Sequence, residues 1–433
     1  MLTMAIHDRK DLMRRFPAFA AMTVLLGLIA PLLTAPPSHA GPWDKVTAWE
    51  TARVMRVVDG DTLIVRDAAT NKRSRIRILG INAPEKDTKL HSGWCGGWQA
   101  MDALAEMLPA DTMVRLLSVN QSSKGKGRPQ RVVLAENPAT GDYDLDVGWA
   151  MAERGWGHWF TKRSEASMSS LYRAVIEKAQ QRRVGVWNPN LCGELEQPEA
   201  SIDLRIARAS DSRRLNDEWV EIRNTGGTPV DLSGWTLRDA GNQAWFTMPG
   251  GSVLNPGDYR VVHTGSGVDS TPTGQDIYRG HSSLLYPEPG REPNLVGDGA
   301  YLLDRYGNYR FWREYPCTER CDADVATNAI VIQQASLGKG KGRKRSGSQY
   351  VRLLNQGAVT VCLDGYQVQT QAIDYTIAAG TCLAPGQTWM LHGGKGSSSV
   401  NAIYLGRKKP LMYLSDTLTV LSDREQVVAK RQW

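Results

Sequence analysis

A mainly β chain of several domains is predicted from three features of the sequence. Its 433 residues exceed one ordinary core, since domains run roughly 100–200 residues. Its 42 glycines and 21 prolines suit short strands and many turns better than long helices. One set of landmarks appears twice in the second half, the mark of a duplicated module. The expected architecture is a five-stranded barrel with helices, followed by two β-sandwiches.

The N-terminus carries Arg9, Lys10, Arg14 and Arg15, then an apolar run from Phe16 to Leu33, then Ser38-His39-Ala40. A basic start, an apolar middle and small residues before a cleavage point describe an export signal, expected over residues 1–40 with cleavage after Ala40. The alternative is an uncleaved anchor, because the run approaches the ~18–20 residues that span a bilayer, although Pro17 and Pro31 interrupt it. Arg14-Arg15 also permits a twin-arginine route.

From residue 48 to 195 the pattern is that of the barrel. Val54, Val57 and Val58, then Leu63, Ile64 and Val65, read as two strands joined by the turn Asp59-Gly60-Asp61. Arg75 to Ile81 is a third strand, and Val114 to Val119 and Arg131 to Ala135 add two more. Helical spacing is expected over Gln99 to Leu108, Leu145 to Arg154 and Glu165 to Arg183, closing at Gly185-Val186-Trp187. Five short strands with interspersed helices suit an oligonucleotide-binding-type (OB-fold) barrel.

Glu194 to Ser201, rich in Glu and Pro, reads as a linker. Beyond it, Glu218-Trp219-Val220-Glu221-Ile222-Arg223-Asn224-Thr225-Gly226, Leu232 to Trp235 and Leu254 to Gly257 are followed in the same order by Gln349 to Gly357, Leu363 to Tyr366 and Leu383 to Gly386. Two copies of one module of about 100 residues follow, over 201–315 and 327–433, each a sandwich of alternating strands.

A net charge of +7 and a pI near 9.0 favour polyanionic partners: nucleic acid, anionic wall polymer or membrane surface. Basic residues gather at Lys124 to Arg128, Lys339 to Arg345 and Arg407 to Lys409, and the last two clusters also read as solvated loops. Six cysteines in an exported chain imply disulfides, and sequence proximity suggests Cys95–Cys192, Cys317–Cys321 and Cys362–Cys382 among fifteen pairings. Cys317 and Cys321 have no second ligand pair at zinc spacing.

Two segments carry candidate chemistry. Val58-Asp59-Gly60-Asp61-Thr62 puts two carboxylates at a strand junction, though Asp-Gly is also a common hairpin turn. Arg77-Ile78-Leu79-Gly80-Ile81-Asn82-Ala83-Pro84-Glu85 runs a strand arginine into a turn with an amide oxygen, a carbonyl and a carboxylate. Hydrolysis of a phosphodiester needs an aimed water, a group to take its proton and cations to neutralise the developing charge. Calcium takes about six to eight hard oxygens, which these turns could supply. Arg128, in Gly127-Arg128-Pro129, could clamp a phosphate.

These segments, with Asp146 to Gly155 and the closing Gly185-Val186-Trp187, resemble the thermonuclease (staphylococcal-nuclease-like) family over about residues 50–190. The resemblance implies that Asp61, Asn82 and the Ala83 carbonyl hold one Ca2+, that Glu85 is the general base, and that Arg77 and Arg128 stabilise the five-coordinate phosphorus. It implies an endonuclease acting on DNA and RNA and leaving 3′-phosphates. Asn82 stands where the family has a second aspartate, and the loop before Arg128 lacks the usual acidic and tyrosine residues, so Arg131 rivals Arg128. Trp156, Trp159 and Phe160 either stack a base or fill the core, and His158 has no role in that mechanism. The two repeats look like lamin-tail domains, an immunoglobulin-like sandwich, the second copy degenerate. The competing expectations are a nucleic-acid-binding barrel without catalysis, which should have lost Arg77 or Glu85, and a cell-envelope interaction protein.

Overall fold

In the computed structural model, which describes residues 46, 49–87, 93–125, 127–160, 165–209, 213–241, 245–270, 274–282, 298–315 and 324–433, the turn at Gly60 joins the first two strands as the Asp-Gly signal implied. The expected export segment and the Cys317–Cys321 pair lie outside the described residues. The first region runs β1 (Trp49–Asp59), β2 (Thr62–Asp67), β3 (Arg73–Ile78), β4 (Gly80–Asn82), α1 (Gly97–Met107), β5 (Met113–Leu117), β6 (Lys124–Gly125), β7 (Arg128–Ala135), β8 (Leu145–Asp146), α2 (Val147–Glu153), β9 (His158–Phe160) and α3 (Ala166–Arg182).

The sheet order is β3-β2-β1-β5-β7, and β7 returns to pair with β3 through Arg77↔Gln130 and Ile78↔Arg131. This last pairing is parallel while the others are antiparallel, and it closes the five strands into a barrel with no free edge between β3 and β7. Alternation sends Val54, Leu63, Ile76, Val114 and Val133 to the interior, where all are buried. α1 covers it with Ala100 and Leu104, four apart on one helix face.

The second expected helix starts two residues later than its apolar pattern. Leu145 and Asp146 pair with β7, and the Asp146 carboxylate accepts from Trp149 N (3.0 Å) as the N-cap of α2. The same carboxylate accepts from the Tyr172 hydroxyl of α3 (2.7 Å). Tyr172 also explains Gly80, whose φ is +87° and where a Cβ would stand 2.5 Å from the Tyr172 ring. Gly80→Ala therefore combines a disfavoured backbone with overpacking. Chemical denaturation should show a loss of about 2–4 kcal/mol.

Each repeat is a pair of four-stranded sheets of the same order. In the first copy, 202–207, 219–224, 259–263 and 276–278 form one sheet, the last strand joining in parallel, and 245–247, 236–239, 298–303 and 309–315 form the other. In the second, 330–336, 350–355, 388–392 and 402–404 face 374–376, 367–369, 417–421 and 427–432. The repeated asparagine shows why the landmarks recur. Asn224 Nδ2 donates to the Thr228 and Leu254 carbonyls (2.8 and 2.9 Å), and its Oδ1 accepts from Gly226 N (2.9 Å). Asn355 does the same with Val359, Leu383 and Gly357 (2.8, 2.7 and 2.9 Å). A buried amide with all these bonds pins the turn after the strand to a second connection about 30 residues on. Two disulfides, Cys95–Cys192 and Cys362–Cys382, match the expected pairing, the latter across two paired strand residues.

The expected linker is not a free tether. Gln197 exchanges two 2.8 Å bonds with the Asp231 backbone, and Arg310 donates to the carbonyls of Glu196 and, at 3.0 Å, of Gln197. Tyr301, Leu303 and Tyr309 of the first sandwich lie in the same apolar core as the barrel, against Trp187 and His158. Burying these large rings once, between two elements, removes apolar surface from both.

Candidate active site

The two turns singled out in the sequence meet at one end of the barrel. β1 and β2 place Asp59 and Asp61 at their junction, and β3 runs on through β4 to bring Asn82 and Ala83 across from them. Asp61 Oδ2 accepts from Ala83 N (2.8 Å), and Oδ1 accepts from the Thr62 hydroxyl (2.9 Å). Arg77, from the end of β3, forms an ion pair with Asp61 and donates through Nη2 to Asn82 Oδ1 (2.6 Å). One guanidinium thus bridges the carboxylate of the first turn and the amide of the second, with all three residues buried. Its Cζ lies 5.5 Å from the centre of the Phe160 ring.

Arg128 reaches the same turn, its Nη1 lying 3.3 Å from Thr62 Oγ1. Arg131 faces elsewhere. It donates to the carbonyls of Gln130 (2.9 Å) and Gln121 (3.0 Å), which makes it the brace of the loop before β7. Of the two rivals, geometry brings Arg128 to the site and leaves Arg131 out. Glu85 is half-buried at the rim, and its backbone carbonyl accepts from Trp94 N (2.7 Å). Trp159 fills the core rather than offering a stacking face.

The electrostatics are those of crowded carboxylates. Burial pushes the Asp61 carboxyl up to about 7; Arg77 opposes this, while Asp59 and Glu85 add to it. Arg75 pairs with Asp59 at 3.7 Å on the other side of the same turn. Three carboxylates, the Asn82 amide and nearby carbonyls are hard oxygen donors of the kind calcium takes, but the oxygens of Asp59, Asp61 and Glu85 do not lie within 4.8 Å of one another and Asn82 Oδ1 already accepts from Arg77. Among the described residues the one group of three His, Cys, Asp or Glu ligand atoms already within 4.8 Å is Cys362, Asp364 and Cys382, whose sulfurs are bonded to each other.

Sequence reasoning missed what the first sandwich contributes. Asn82 Nδ2 donates to the Ala240 carbonyl (2.8 Å), 158 residues away. His158, fully buried, lies with Nδ1 3.1 Å from the Asn82 carbonyl oxygen. Burial, helped by Arg238, holds its pKa well below the usual value, so the neutral ring donates from Nδ1 and fixes the Asn82 backbone. Arg238 is itself buried, with its guanidinium 3.9 Å from the Trp94 ring centre and Glu85 among the charges acting on it. Nothing in Thr236-Leu237-Arg238-Asp239, an alternating strand, marks this arginine as different from a solvated one.

The second half of the chain decides the family. The family model of the Lamin Tail Domain matches residues 197–316 and again 324–433. The chain belongs to the lamin tail domain family. The two matches fall on the two sandwiches, so the duplicated landmarks are two lamin-tail domains in tandem. No curated protein matches the chain. Residues 238–240, which reach the barrel site, belong to the first lamin-tail domain.

Proposed function

We propose that the chain is an exported, calcium-dependent endonuclease of the thermonuclease type, hydrolysing DNA and RNA to 3′-phosphates, with two lamin-tail domains attached. The observation that carries this is the meeting of Asp61, Arg77 and Asn82 in one bonded cluster, with Arg128 on Thr62 and Glu85 at the rim. Three carboxylates and two arginines on one barrel face are more than a binding surface for a polyanion needs, since the carboxylates repel it.

In this reading Glu85 takes the proton of the attacking water, and its half-exposed position gives that water access. Arg77, paired with Asp61, and Arg128, bonded to the neighbouring Thr62, would stabilise the phosphoryl oxygens as negative charge develops. Asp61, Asn82 and the Ala83 carbonyl would hold the ion. Calcium, when bound, supplies charge neutralisation to the phosphoryl oxygen and water. Asn82 in place of a second aspartate keeps the oxygen and gives up a charge, which lowers calcium affinity. Two disulfides and the N-terminal pattern support export, and the net charge of +7 suits nucleic acid or an anionic envelope surface as the partner.

The second reading is a nucleic-acid-binding barrel without catalysis. It is favoured by one observation, that Arg77 and Ala240 already occupy the oxygen and nitrogen of the Asn82 amide. Incubating the purified chain with single-stranded DNA, double-stranded DNA and RNA, in calcium and in chelator, separates the two. Cutting in calcium that stops in chelator is the expected result. Nucleic acid that is bound but intact in every condition would leave the second reading standing.

A further inference from the structure

The seam between barrel and first lamin-tail domain holds a pocket of about 290 Å³, lined by Trp94, Arg238, Arg305, Tyr306 and Tyr309 among others. Two of these side chains are 4% exposed and end in polar atoms with no hydrogen bond among the described residues: Arg238 at Nε and Nη2, and Tyr309 at its hydroxyl. A buried guanidinium with unanswered N–H groups is costly, and such groups in native proteins usually serve a ligand, an ion or water.

The other charges of the pocket are taken. Arg305 pairs with Glu196 (2.7 Å), and Asp304 accepts from the Tyr306 and Asn308 amides (both 3.0 Å). Arg238 rests on Trp94, whose N–H donates to the Glu85 carbonyl (2.7 Å), so the pocket begins one hydrogen bond from the proposed base. The carboxylates acting on Arg238 are Asp239 and Glu85. A guanidinium fork suits a phosphate, the pocket volume is at the small end for ligand sites, and the half-exposed Tyr306 ring offers a stacking face at its mouth.

We propose that this pocket is a phosphate subsite, in which Arg238 of the first lamin-tail domain holds the phosphate of a nucleotide next to the one that is cut. The proposal rests on the nuclease reading, and it makes the lamin-tail domain part of the substrate cleft.

The test uses the full chain beside Arg238→Met, which keeps the packing on Trp94, and Arg238→Lys, which keeps the charge without the fork. The probes are a fluorescein-labelled oligothymidylate, read by anisotropy in chelator across a salt series, and inorganic phosphate, read by its effect on Tm. We expect Arg238→Met to hold its Tm or raise it, because an unpaired buried charge is gone. Its oligonucleotide affinity should drop about tenfold and its salt slope by about 0.7, with Arg238→Lys in between. Equal affinity and slope in wild type and Arg238→Met, or a lowered Tm with unchanged affinity, would overturn the subsite and make Arg238 structural. Phosphate stabilising only the wild type, with oligonucleotide affinity equal in both, would overturn it in favour of a free-phosphate site. A chain that cuts nothing yet shows the Arg238→Met binding deficit would sink the nuclease reading alone.

Discussion

Glu85→Gln is expected to lower calcium-dependent cleavage of DNA by about 10²–10⁴-fold, the range for removing a positioned general base. Gln keeps the size and the hydrogen-bonding reach of Glu85 and loses only the ability to take a proton. The Glu85 backbone carbonyl, which bonds to Trp94, is untouched by the change, so the rim should keep its shape. Glu85 is half-buried and its carboxylate makes no hydrogen bond among the described residues. Stability should therefore move by no more than about 0.5 kcal/mol in urea. Single-turnover cleavage beside oligonucleotide binding measures both. A mutant that cuts within threefold of wild type would remove Glu85 from the reaction and shift attention to Asp59 or Asp61.

Glu314→Ala should cost about 3–5 kcal/mol, the largest stability effect expected outside the apolar cores. Glu314, on the strand 309–315 of the first lamin-tail domain, accepts from Arg173 and Gln180 of α3 and from the Tyr301 hydroxyl (2.5 Å). Arg173 is 1% exposed and keeps only Glu177 (2.8 Å) as a carboxylate partner once Glu314 is gone, beside the Trp159 ring. A buried guanidinium stripped of its main carboxylate is the case in which breaking a buried pair costs most. Tyr301 and Gln180 lose their partner at the same time. Glu314→Gln, which keeps one acceptor oxygen, should be milder. Because the network joins barrel to sandwich, denaturation followed by barrel tryptophans and by far-UV signal should shift together. A change under about 1 kcal/mol, or a shift confined to one probe, would mean that the two parts unfold independently.

Much of this molecule was legible in local pattern. The five barrel strands, three helices and both sandwiches follow from alternation, helical spacing and the Gly, Pro and Asn punctuation; most ends moved by only a few residues, but the expected third strand, Arg75 to Ile81, breaks at Leu79 into β3 and a separate β4 that pairs with β9. Asp146 shows where local reading slips. Its helical spacing was real, but pairing with β7 took Leu145 and Asp146 into a strand and left the carboxylate to cap the helix. At the site, Asp61, Arg77, Asn82 and Ala83 lie within 23 residues, so the turn chemistry that draws them together is written in one short stretch. Arg128 against Arg131 could not be decided that way, because both precede or begin the same strand and only the closure of β7 onto β3 sends one to Thr62 and the other to the loop.

Taken alone, the sequence determined the class of most elements, the duplication and the short-range set of candidate groups, and suggested the two described disulfides, because period, turn and spacing are properties of neighbours along the chain. The docking of the first lamin-tail domain was decided only in three dimensions. Ala240 on Asn82, Glu314 on Arg173 and Arg238 on Trp94 join residues more than 130 positions apart. Such contacts depend on how two finished surfaces fit, and complementarity between surfaces leaves no periodic trace in either strand.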